Sequence, residues 1–352
     1  MNLNSLRMKV DQVDAKIIRL LNERAKISLA IGKIKLKENR TVYSPDREKE
    51  ILSRLNKLSR GPLHPAALEA IYREVMSSSL SLEKPLTICY MGPPATFSHQ
   101  AAIKKFGASV KYRAVDNISD VFNEVEKQNC DYGVVPIENS IEGVVTHTLD
   151  MFVDSDLKIC AQILLEVSHN LLSNSARDKV KKIYSNPQVF GQCRIWLESN
   201  LPKVELVEVS STSKAAQVAA GEKGAACIAS LLAAQVYGLK VIERDIEDSP
   251  HNLTRFLVIC QNDVRPTGDD KTSIMFSIKD RIGALHDMLV PFRRYKINLT
   301  KIESRPSKKR AWDYYFFVDL KGHRLDKKVK QALSELEEKC KYLKVLGSYP
   351  DL

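Results

Sequence analysis

The longest apolar pattern in the chain runs from residue 3 to residue 34 and limits the possible folds more than any other feature. Apolar side chains recur there at alternating spacings of three and four residues, which predicts a single helix with one apolar seam. The seam residues are Leu3, Leu6, Val10, Val13, Ile17, Leu20, Ile27, Ile31 and Ile34. Such a helix spans about 50 Å, which is too long for a small compact domain, so we expect it to pair with a second copy of itself.

A cation interrupts this seam. Arg24 takes the position between Leu20 and Ile27, and Lys35 follows eleven residues later. Because eleven residues make nearly three helical turns, both side chains project from one face. One interpretation is a coiled-coil dimerisation module in which Arg24 sets the register.

Two shorter helices are predicted to follow. Ser44 is a suitable N-cap, and Pro45 suits the first position of a helix that runs to about Ser59. A third helix is expected from about Pro65 to Lys84. Polar side chains of interest on these two helices are Arg47, Glu48, Ser79 and Glu83. A plain coiled coil leaves unexplained why cations on two helices converge on one interior.

Residues 3–84 resemble the all-helical chorismate mutase family. The matching segments are LRMKVDQVDAKIIRLLNERAKISLAIGKIK and PDREKEI. The resemblance implies that Glu48 binds the hydroxyl group of chorismate, that Ser79 and Glu83 lie on the third helix's face of the site, and that four cations bind the two carboxylates. These cations are Arg24, Lys35, Arg47 and, reaching in from the partner subunit, Arg7. A pericyclic rearrangement needs no nucleophile or metal, and fixed cations can both fold the dianion and stabilise developing charge.

Two positions depart from the mutase pattern. Ser44 stands where some members carry Asp, and Glu83 stands where other members carry Gln. A carboxylate cannot donate a hydrogen bond to the ether oxygen of the substrate, whereas a protonated Glu can. We therefore predict that mutase activity favours acidic pH and that Glu83→Gln flattens the pH profile.

The net charge of +11 divides the chain into three blocks. Residues 1–84 carry 17 basic and 10 acidic side chains, residues 85–264 carry 17 and 21, and residues 265–352 carry 20 and 12. A basic protein raises the possibility of a nucleic-acid partner. The positive charge is diluted among acidic side chains apart from the run at residues 308–310, and no nucleic-acid motif is present. Small anionic substrates explain the first block better.

Cysteine usage and hydropathy indicate the compartment. The seven cysteines are scattered, their number is odd and no CxxC pair occurs, so we expect neither a metal cluster nor a disulfide framework. No stretch approaches the roughly 18 uninterrupted apolar residues of a membrane span, and the first residues do not form a signal peptide. A cytoplasmic protein without cofactor, metal or membrane partner is expected.

Residues 86–262 alternate short apolar strands with helical stretches, which predicts an α/β fold with mainly parallel sheets. Polar motifs follow several of the strands, where open α/β sheets bind ligands. They include VVPIENS with Glu138 and Asn139, YSNPQVFGQ with Ser185 and Gln192, and HNLTRF. Each motif alone is typical of helix capping. Together they indicate one anion-binding cleft.

This block resembles the prephenate dehydratase domain, most specifically in NLTRF. The resemblance implies two lobes like those of a periplasmic binding protein, with the site in the cleft. Thr254 would be the catalytic hydroxyl and Arg255 would lie beside the site. The residues implied to position the substrate are Glu138, Asn139, Ser185 and Gln192. Ala95 replaces a usual Gly and Asn186 a usual His, which puts the loop geometry near Ala95 in question.

Residues 271–352 read strand, helix, strand, strand, helix, strand, an α+β ferredoxin-like order. A plain dimerisation or RNA-binding domain is one interpretation. The segments GALHDML and INLTKIESRP resemble the ACT domain that follows prephenate dehydratase domains. The resemblance implies feedback inhibition by phenylalanine bound at a dimer interface. The implied pocket residues are Gly283, Ala284, Leu285, Asn298, Glu303, Ser304, Arg305 and Pro306.

The three blocks together predict a bifunctional enzyme that acts on chorismate and then on prephenate, with domains at residues 1–84, 86–262 and 271–352. We expect a homodimer or a higher homo-oligomer. A non-catalytic ligand sensor is a rival interpretation because the predicted central fold is also a binding-protein fold. Another rival keeps the fold but prefers arogenate to prephenate.

Overall fold

A computed structural model describes residues 2–38, 41–278, 281–307 and 314–351 of the chain. The basic run at residues 308–310 lies outside the described residues. The residues form two compact units, Met1–Thr87 with Lys105–Lys111, and Ile88–Lys104 with Tyr112–Leu352. The domain boundaries expected from the sequence remain predictions.

The first unit is built from three helices, as the apolar periodicity predicts. They are α1 (Leu3–Lys37), α2 (Pro45–Leu58) and α3 (Pro65–Glu83). Asn2 caps α1 by accepting a hydrogen bond from the Ser5 backbone, and Pro45 occupies the first turn of α2. The expected N-cap Ser44 is at the right position but makes no side-chain capping bond. All nine apolar seam residues of α1 are solvent-exposed within one chain, between 45% and 62%.

The second unit contains two mixed sheets with helices around them. The first sheet has the order β2-β1-β3-β11-β5, and β4 pairs with β3. Its strands are β1 (Thr87–Met91), β2 (Lys111–Val115), β3 (Tyr132–Asn139), β4 (Gly143–Val144), β5 (Lys158–Glu166) and β11 (Leu253–Cys260). The helices that precede and follow these strands are α4 (Phe97–Phe106), α5 (Ile118–Glu126) and α6 (Thr146–Asp154).

The second sheet has the order β10-β6-β9-β7-β8. Its strands are β6 (Asn170–Ser173), β7 (Lys182–Ser185), β8 (Glu205–Glu208), β9 (Ala225–Ala229) and β10 (Lys240–Glu243). The helices of this lobe are α7 (Pro187–Gln192), α8 (Arg194–Asn200), α9 (Thr212–Gly221) and α10 (Leu231–Tyr237).

The two sheets share one strand order, which defines the two lobes of a periplasmic-binding-protein-like fold. In each sheet a strand that arrives from the other lobe, β11 or β6, runs antiparallel to both of its neighbours. The expectation of mainly parallel sheets is therefore wrong. The parallel ladders that the α/β rhythm indicates are present, but the crossing strands make both sheets mixed.

A four-stranded antiparallel sheet of order β13-β14-β12-β15 follows, with two helices, and confirms the α+β ferredoxin-like order. Its elements are β12 (Asp270–Ser277), α11 (Ala284–Arg294), β13 (Leu299–Pro306), β14 (Tyr314–Lys321), α12 (Lys327–Lys339) and β15 (Tyr342–Pro350). One face of this sheet packs on α11 and α12 through Ile274, Phe276 and Val318. The opposite face contributes Met275 and Phe317 to the core of the first lobe.

Candidate active sites

A cavity of about 580 Å³ lies among the three helices of the first unit. Six of the residues singled out in the sequence line it. They are Arg24, Lys35, Arg47, Glu48, Ser79 and Glu83. Arg7 is exposed on α1 and does not line this cavity within one chain. Arg54, Arg73, Lys105 and Glu23 line the cavity as well, so it combines six cations with three carboxyl groups in a space that suits a small dianion.

The polar side chains of α1 and α3 meet across this cavity. Arg24 Nη1 donates to Ser79 Oγ at 2.5 Å, and Lys35 Nζ lies 3.3 Å from Glu83 Oε2. Lys35 also donates to the carbonyl oxygen of Val42 at 2.6 Å. A side chain at Gly32 would come within 2.8 Å of Glu83 Cγ. The glycine thus lets α1 approach α3 closely where the Lys35–Glu83 pair forms.

Glu48 is held at the start of α2 by two donors. Its Oε2 atom accepts from the Tyr43 hydroxyl at 2.8 Å and from Lys105 Nζ at 2.8 Å. Arg47, the next cation of the cavity, pairs with Glu50 at 2.6 Å on the outer side of the helix. The sequence patterns did not identify Tyr43 or Lys105.

The polar motifs of the two-lobed domain converge on Thr254 at the start of β11. Asn139 ends the neighbouring β3, and its Nδ2 donates to Thr254 Oγ1 at 2.8 Å. Asn139 Oδ1 accepts from the backbone N–H groups of Ile141 and Glu142, each at 2.9 Å, which fixes the direction of the amide. Because Thr254 accepts this bond, its own proton is left to donate, and no described residue accepts it.

A chain of amides extends from this pair to the second lobe. Asn139 Nδ2 also donates to Asn252 Oδ1 at 2.6 Å, and Asn252 Nδ2 donates to Gln192 Oε1 at 3.2 Å. Gln192 Nε2 in turn donates to Glu142 Oε1 at 3.0 Å. Gln192 belongs to α7 of the second lobe, whereas Asn139 and Glu142 belong to the first, so the network spans the cleft. The sequence patterns did not assign Asn252, although it stands inside the HNLTRF motif.

His169 supplies a second hydrogen bond to Gln192 Oε1. Its Nε2 atom lies 2.8 Å from Gln192 Oε1, and the imidazole is 1% exposed. Because Gln192 Oε1 can only accept, the imidazole carries its proton on Nε2. Burial lowers the pKa of His169, although the bond to Gln192 and the charge of Glu247 act in the opposite direction. The neutral imidazole is thus a positioned donor. In the sequence, His169 looks like an ordinary polar residue at the start of a strand. Its role in the site becomes visible only in the packing of the two lobes.

Ser185 is placed differently from this network. It ends β7, is fully buried, and donates its hydroxyl proton to the carbonyl oxygen of Ile228 at 2.9 Å. Its lone pairs can still accept a hydrogen bond.

The structure does not bring Glu138 and Arg255 together with Thr254. They pair with each other across β3 and β11, one residue from the Asn139–Thr254 pair, so their side chains lie on the opposite face of the sheet. Glu138 Oε2 is bound by Lys301 Nζ at 2.8 Å. This geometry corrects two expectations, that Glu138 positions the substrate and that Arg255 lies beside the site.

Arg255 is instead part of a buried ion pair with the ferredoxin-like domain. Its guanidinium donates to Asp319 at 2.7 Å and to the Tyr349 hydroxyl at 3.0 Å. Burial opposes the charge of Arg255, but the neighbouring Tyr349 and Asp319 raise its pKa overall. Arg255 therefore holds two domains together.

The ferredoxin-like domain places its motif residues at two locations. Gly283 is the N-cap of α11 with φ of +76°, followed by buried Ala284 and half-buried Leu285. Asn298 is exposed just before β13. The β13 residues Glu303, Ser304, Arg305 and Pro306 alternate between half-buried and exposed.

Arg305 does not lie with the exposed residues of the motif. Its guanidinium lies 3.3 Å from Asp150 of α6. Strand alternation explains this correction, because Arg305 shares the face of β13 that carries Lys301, which also contacts the first lobe.

The described residues lack a metal cluster and a membrane-spanning helix. Among them, no group of three or more His, Cys, Asp or Glu side chains is arranged to hold a metal ion. None of the helices in the described ranges has the combination of length and apolar character needed to cross a bilayer.

Comparison with known proteins defines the class of enzyme. Three family models match the chain in succession: chorismate mutase type II at residues 6–84, prephenate dehydratase at residues 88–264 and the ACT domain at residues 272–338. A helical isomerase domain, a two-lobed lyase domain and an ACT domain are therefore joined in one polypeptide.

Relatives of full length share this organisation. The bifunctional chorismate mutase/prephenate dehydratase of Aquifex aeolicus is 53% identical over 99% of this chain and 98% of its own length. That of Pseudomonas aeruginosa is 42% identical over 99% of this chain and 97% of its own length. The chain belongs to the family of bifunctional chorismate mutase/prephenate dehydratases, which are enzymes of aromatic amino-acid biosynthesis.

Two solved structures share the fold of the second and third domains. The prephenate dehydratase of Arthrobacter aurescens, solved in complex with L-Phe, is similar with a TM-score of 0.70 and 31% identity over 76% of this chain and 90% of that one. The enzyme from Staphylococcus aureus has a TM-score of 0.66 and 29% identity over 75% of this chain and 100% of that one.

Proposed function

We propose that the cavity of the helical unit is the chorismate mutase site and that the Thr254 network is the prephenate dehydratase site. The observation that carries the first assignment is the convergence of Arg24, Lys35 and Arg47 on one cavity of about 580 Å³. Their charges would bind the two carboxylates of chorismate and hold the side chain over the ring. The rearrangement then breaks one C–O bond and forms one C–C bond within the same molecule.

The second assignment is supported by the direction of the hydrogen bonds around Thr254. Asn139 donates to Thr254 and leaves the threonine proton available to the leaving hydroxyl of prephenate. Loss of that hydroxyl and of carbon dioxide makes the ring aromatic, so the enzyme mainly has to assist departure of the leaving oxygen. Gln192, Asn252 and His169 would position the substrate across the cleft, and Ser185 would accept from it.

A single assay tests both proposals. Chorismate is supplied to the purified chain while prephenate and phenylpyruvate are followed separately, and prephenate or arogenate is supplied alone in parallel. We expect chorismate to yield prephenate and then phenylpyruvate. Failure to consume chorismate would refute the mutase site, and failure to convert both prephenate and arogenate would refute the dehydratase site. Faster turnover of arogenate would revise only the substrate.

We also propose a second copy of the chain as an obligate partner of the mutase site. The nine exposed apolar residues of the α1 seam form a face that a second α1 would cover, and Arg7 lies on the same helix away from its own cavity. Mixing Arg7→Met with Arg24→Met chains tests this arrangement. Each variant alone should keep only a small residual mutase activity. Together they should recover about one quarter of the wild-type mutase rate, because half of the dimers are mixed and each mixed dimer has one intact site. Absence of recovery after verified subunit exchange would contradict a shared site.

Regulation by phenylalanine is the third part of the proposal. It is supported by the ACT match and by a relative of 31% identity that was solved with L-Phe. No hydrogen bond within the described part of one chain joins Gly283 to Glu303 or Ser304, which fits a pocket completed by a second copy. Deleting the domain would expose the apolar core that it shares with the first lobe, so a point variant is the better test.

The phenylalanine test uses two glycines of the same kind. Gly283 and Gly268 both have positive φ. A Cβ atom added at either glycine would meet no other atom within 4 Å. Gly283→Ala should raise the phenylalanine concentration needed for inhibition by about tenfold, because strain alters the backbone that would contact the ligand. Gly268→Ala is the control for strain alone. Equal shifts in the two variants would contradict the proposed pocket.

We further propose a cytoplasmic enzyme without a nucleic-acid partner. In support, the seven cysteines form no disulfide with one another. Retention on DNA that weakens steeply with salt would contradict this part of the proposal.

A further inference from the structure

A segment outside the three helices belongs to the helical unit. Residues 105–111 comprise the last two residues of α4, the turn after it and the first residue of β2. They fall within the stretch matched by the prephenate dehydratase model, yet they cluster with residues 1–87. The Ala108 N–H donates to Glu74 Oε2 at 2.8 Å, and the Ser109 N–H donates to Ser77 Oγ at 3.0 Å. Backbone bonds to two α3 side chains hold the segment in place.

The first residues of this segment reach the mutase cavity. Lys105 and Phe106 both line it. Phe106 is 2% exposed and its ring lies 5.0 Å from that of Tyr43. The packed ring fixes the backbone beside Lys105, so the lysine is presented by a buried anchor rather than by a loose surface turn.

Lys105 makes its ion pair with Glu48. Its Nζ lies 2.8 Å from Glu48 Oε2, and the two side chains are only 21% and 15% exposed. The Tyr43 hydroxyl donates to the same oxygen at 2.8 Å. Both donors therefore occupy Oε2, while no described residue donates to Oε1, which stays available to a hydroxyl group in the cavity.

We propose that Lys105 is a positioning residue of the chorismate mutase site, supplied by a part of the chain that sequence comparison assigns to the dehydratase domain. With Tyr43 it fixes the rotamer of Glu48 and directs the second carboxylate oxygen towards the substrate hydroxyl. The proposal rests on the proposed mutase site. It implies that this mutase site is incomplete in residues 1–84 alone.

The test replaces the cation in the full-length chain. Lys105→Met keeps the length of the side chain and should lower mutase kcat/KM about tenfold, because an unfixed carboxylate binds the hydroxyl group less well. Lys105→Arg should recover most of the loss. Lys111→Met is the matched control, since Lys111 lies in the same segment but is exposed and does not line the cavity. Turnover of prephenate should stay unchanged in all three variants.

A double-mutant cycle separates positioning through Glu48 from a general structural effect. In a Glu48→Gln background, Lys105→Met should change kcat/KM less than about twofold, because the residue it acts through is already altered. A full tenfold loss in that background, or equal losses for Lys105→Met and Lys111→Met, would overturn the inference. If the wild-type chain fails to consume chorismate, the proposed mutase site itself falls, which is a different outcome.

Discussion

The two candidate sites are built from different materials. The mutase cavity is lined by fixed cations, whereas the Thr254 network consists of neutral amides, a hydroxyl and an uncharged imidazole, with a single carboxylate at its end. A rearrangement that moves electrons within a bound dianion needs charges to hold the reactive shape. A loss of hydroxide needs a donor aimed at one oxygen, and a chain of directional bonds supplies it. The contrast predicts that each site fails when its own kind of interaction is removed.

Removal of one hydroxyl should have the largest effect. Thr254→Val keeps the shape of the side chain and should lower dehydratase turnover about 10³-fold, in the range expected for losing a positioned proton or hydrogen-bond donor. Mutase activity should be unchanged. Measurement of both activities on one preparation checks the separation, and Thr254→Ser is the control because it retains the hydroxyl. Substantial phenylpyruvate formation by the valine variant would contradict the assignment.

An arginine on the other face of the same strand should affect stability more than chemistry. Arg255→Met leaves the buried Asp319 without its cationic partner, which we expect to lower the free energy of unfolding by about 3 kcal/mol. Denaturant unfolding checks this value. Arg281→Met removes an exposed pair with Asp287 and should leave the free energy of unfolding nearly unchanged, because water screens such a pair. Equal losses of stability in the two variants would show that burial of the ion pair does not determine its contribution to stability.

Replacement of the mutase cation Arg24 should affect catalysis more than stability, which is the reverse of the Arg255 variant. Arg24→Met should lower mutase kcat/KM about 10²-fold, since a fixed charge on the bound dianion is lost. Stability should be retained because the cavity stays open to water. Arg19→Met on the exposed part of α1 is the control. A large loss of stability in the Arg24 variant would mean that its bond to Ser79 holds the helices together.

Sequence patterns predict these two regions unequally. For the mutase site, helical periodicity alone places Arg24 and Lys35 on one face, because both residues belong to one helix and the spacing is local. Strand alternation likewise predicts that Arg255 faces away from Thr254. Local rules work where one element carries the residues.

Other parts of the sites depend on contacts that local patterns do not contain. His169 and Gln192 meet Asn252 only when two lobes close on each other, and each looks like an ordinary polar residue at a strand or helix end. Lys105 stands on a helix of a different predicted domain from Glu48. Whether the Arg305 side chain contacts the first lobe or solvent depends on which face of β13 packs against that lobe. Such residues are found only once tertiary packing is known.

Acid should lower the stability of the dehydratase domain and favour the mutase activity. Burial lowers the pKa of His169, so the unfolded chain binds a proton before the folded one does. The stability of the dehydratase domain should therefore fall as pH drops below the ordinary imidazole value of about 6.5. His169→Gln should reduce that loss, with exposed His286→Gln as the control.

A protonated carboxyl group at position 83, or the amide of Gln in its place, can donate a hydrogen bond to the ether oxygen of the substrate, whereas a carboxylate cannot. Mutase kcat/KM should rise a few-fold toward acid, and Glu83→Gln should flatten the profile. A mutase profile that does not rise toward acid would contradict this prediction, and an unchanged profile in the Gln variant would remove Glu83 from the explanation.

The smallest expected effect concerns the loop that the sequence marked as unusual. Ala95 adopts φ of +69°, where an L-residue is strained by about 1–2 kcal/mol. Its methyl group is 1% exposed and packs in the second lobe's core, which offsets part of that strain by about 0.8 kcal/mol. Ala95→Gly should therefore stabilise the chain by less than about 1 kcal/mol. Chemical unfolding measures the change. A destabilisation of more than about 1 kcal/mol would mean that the buried methyl group outweighs the backbone strain.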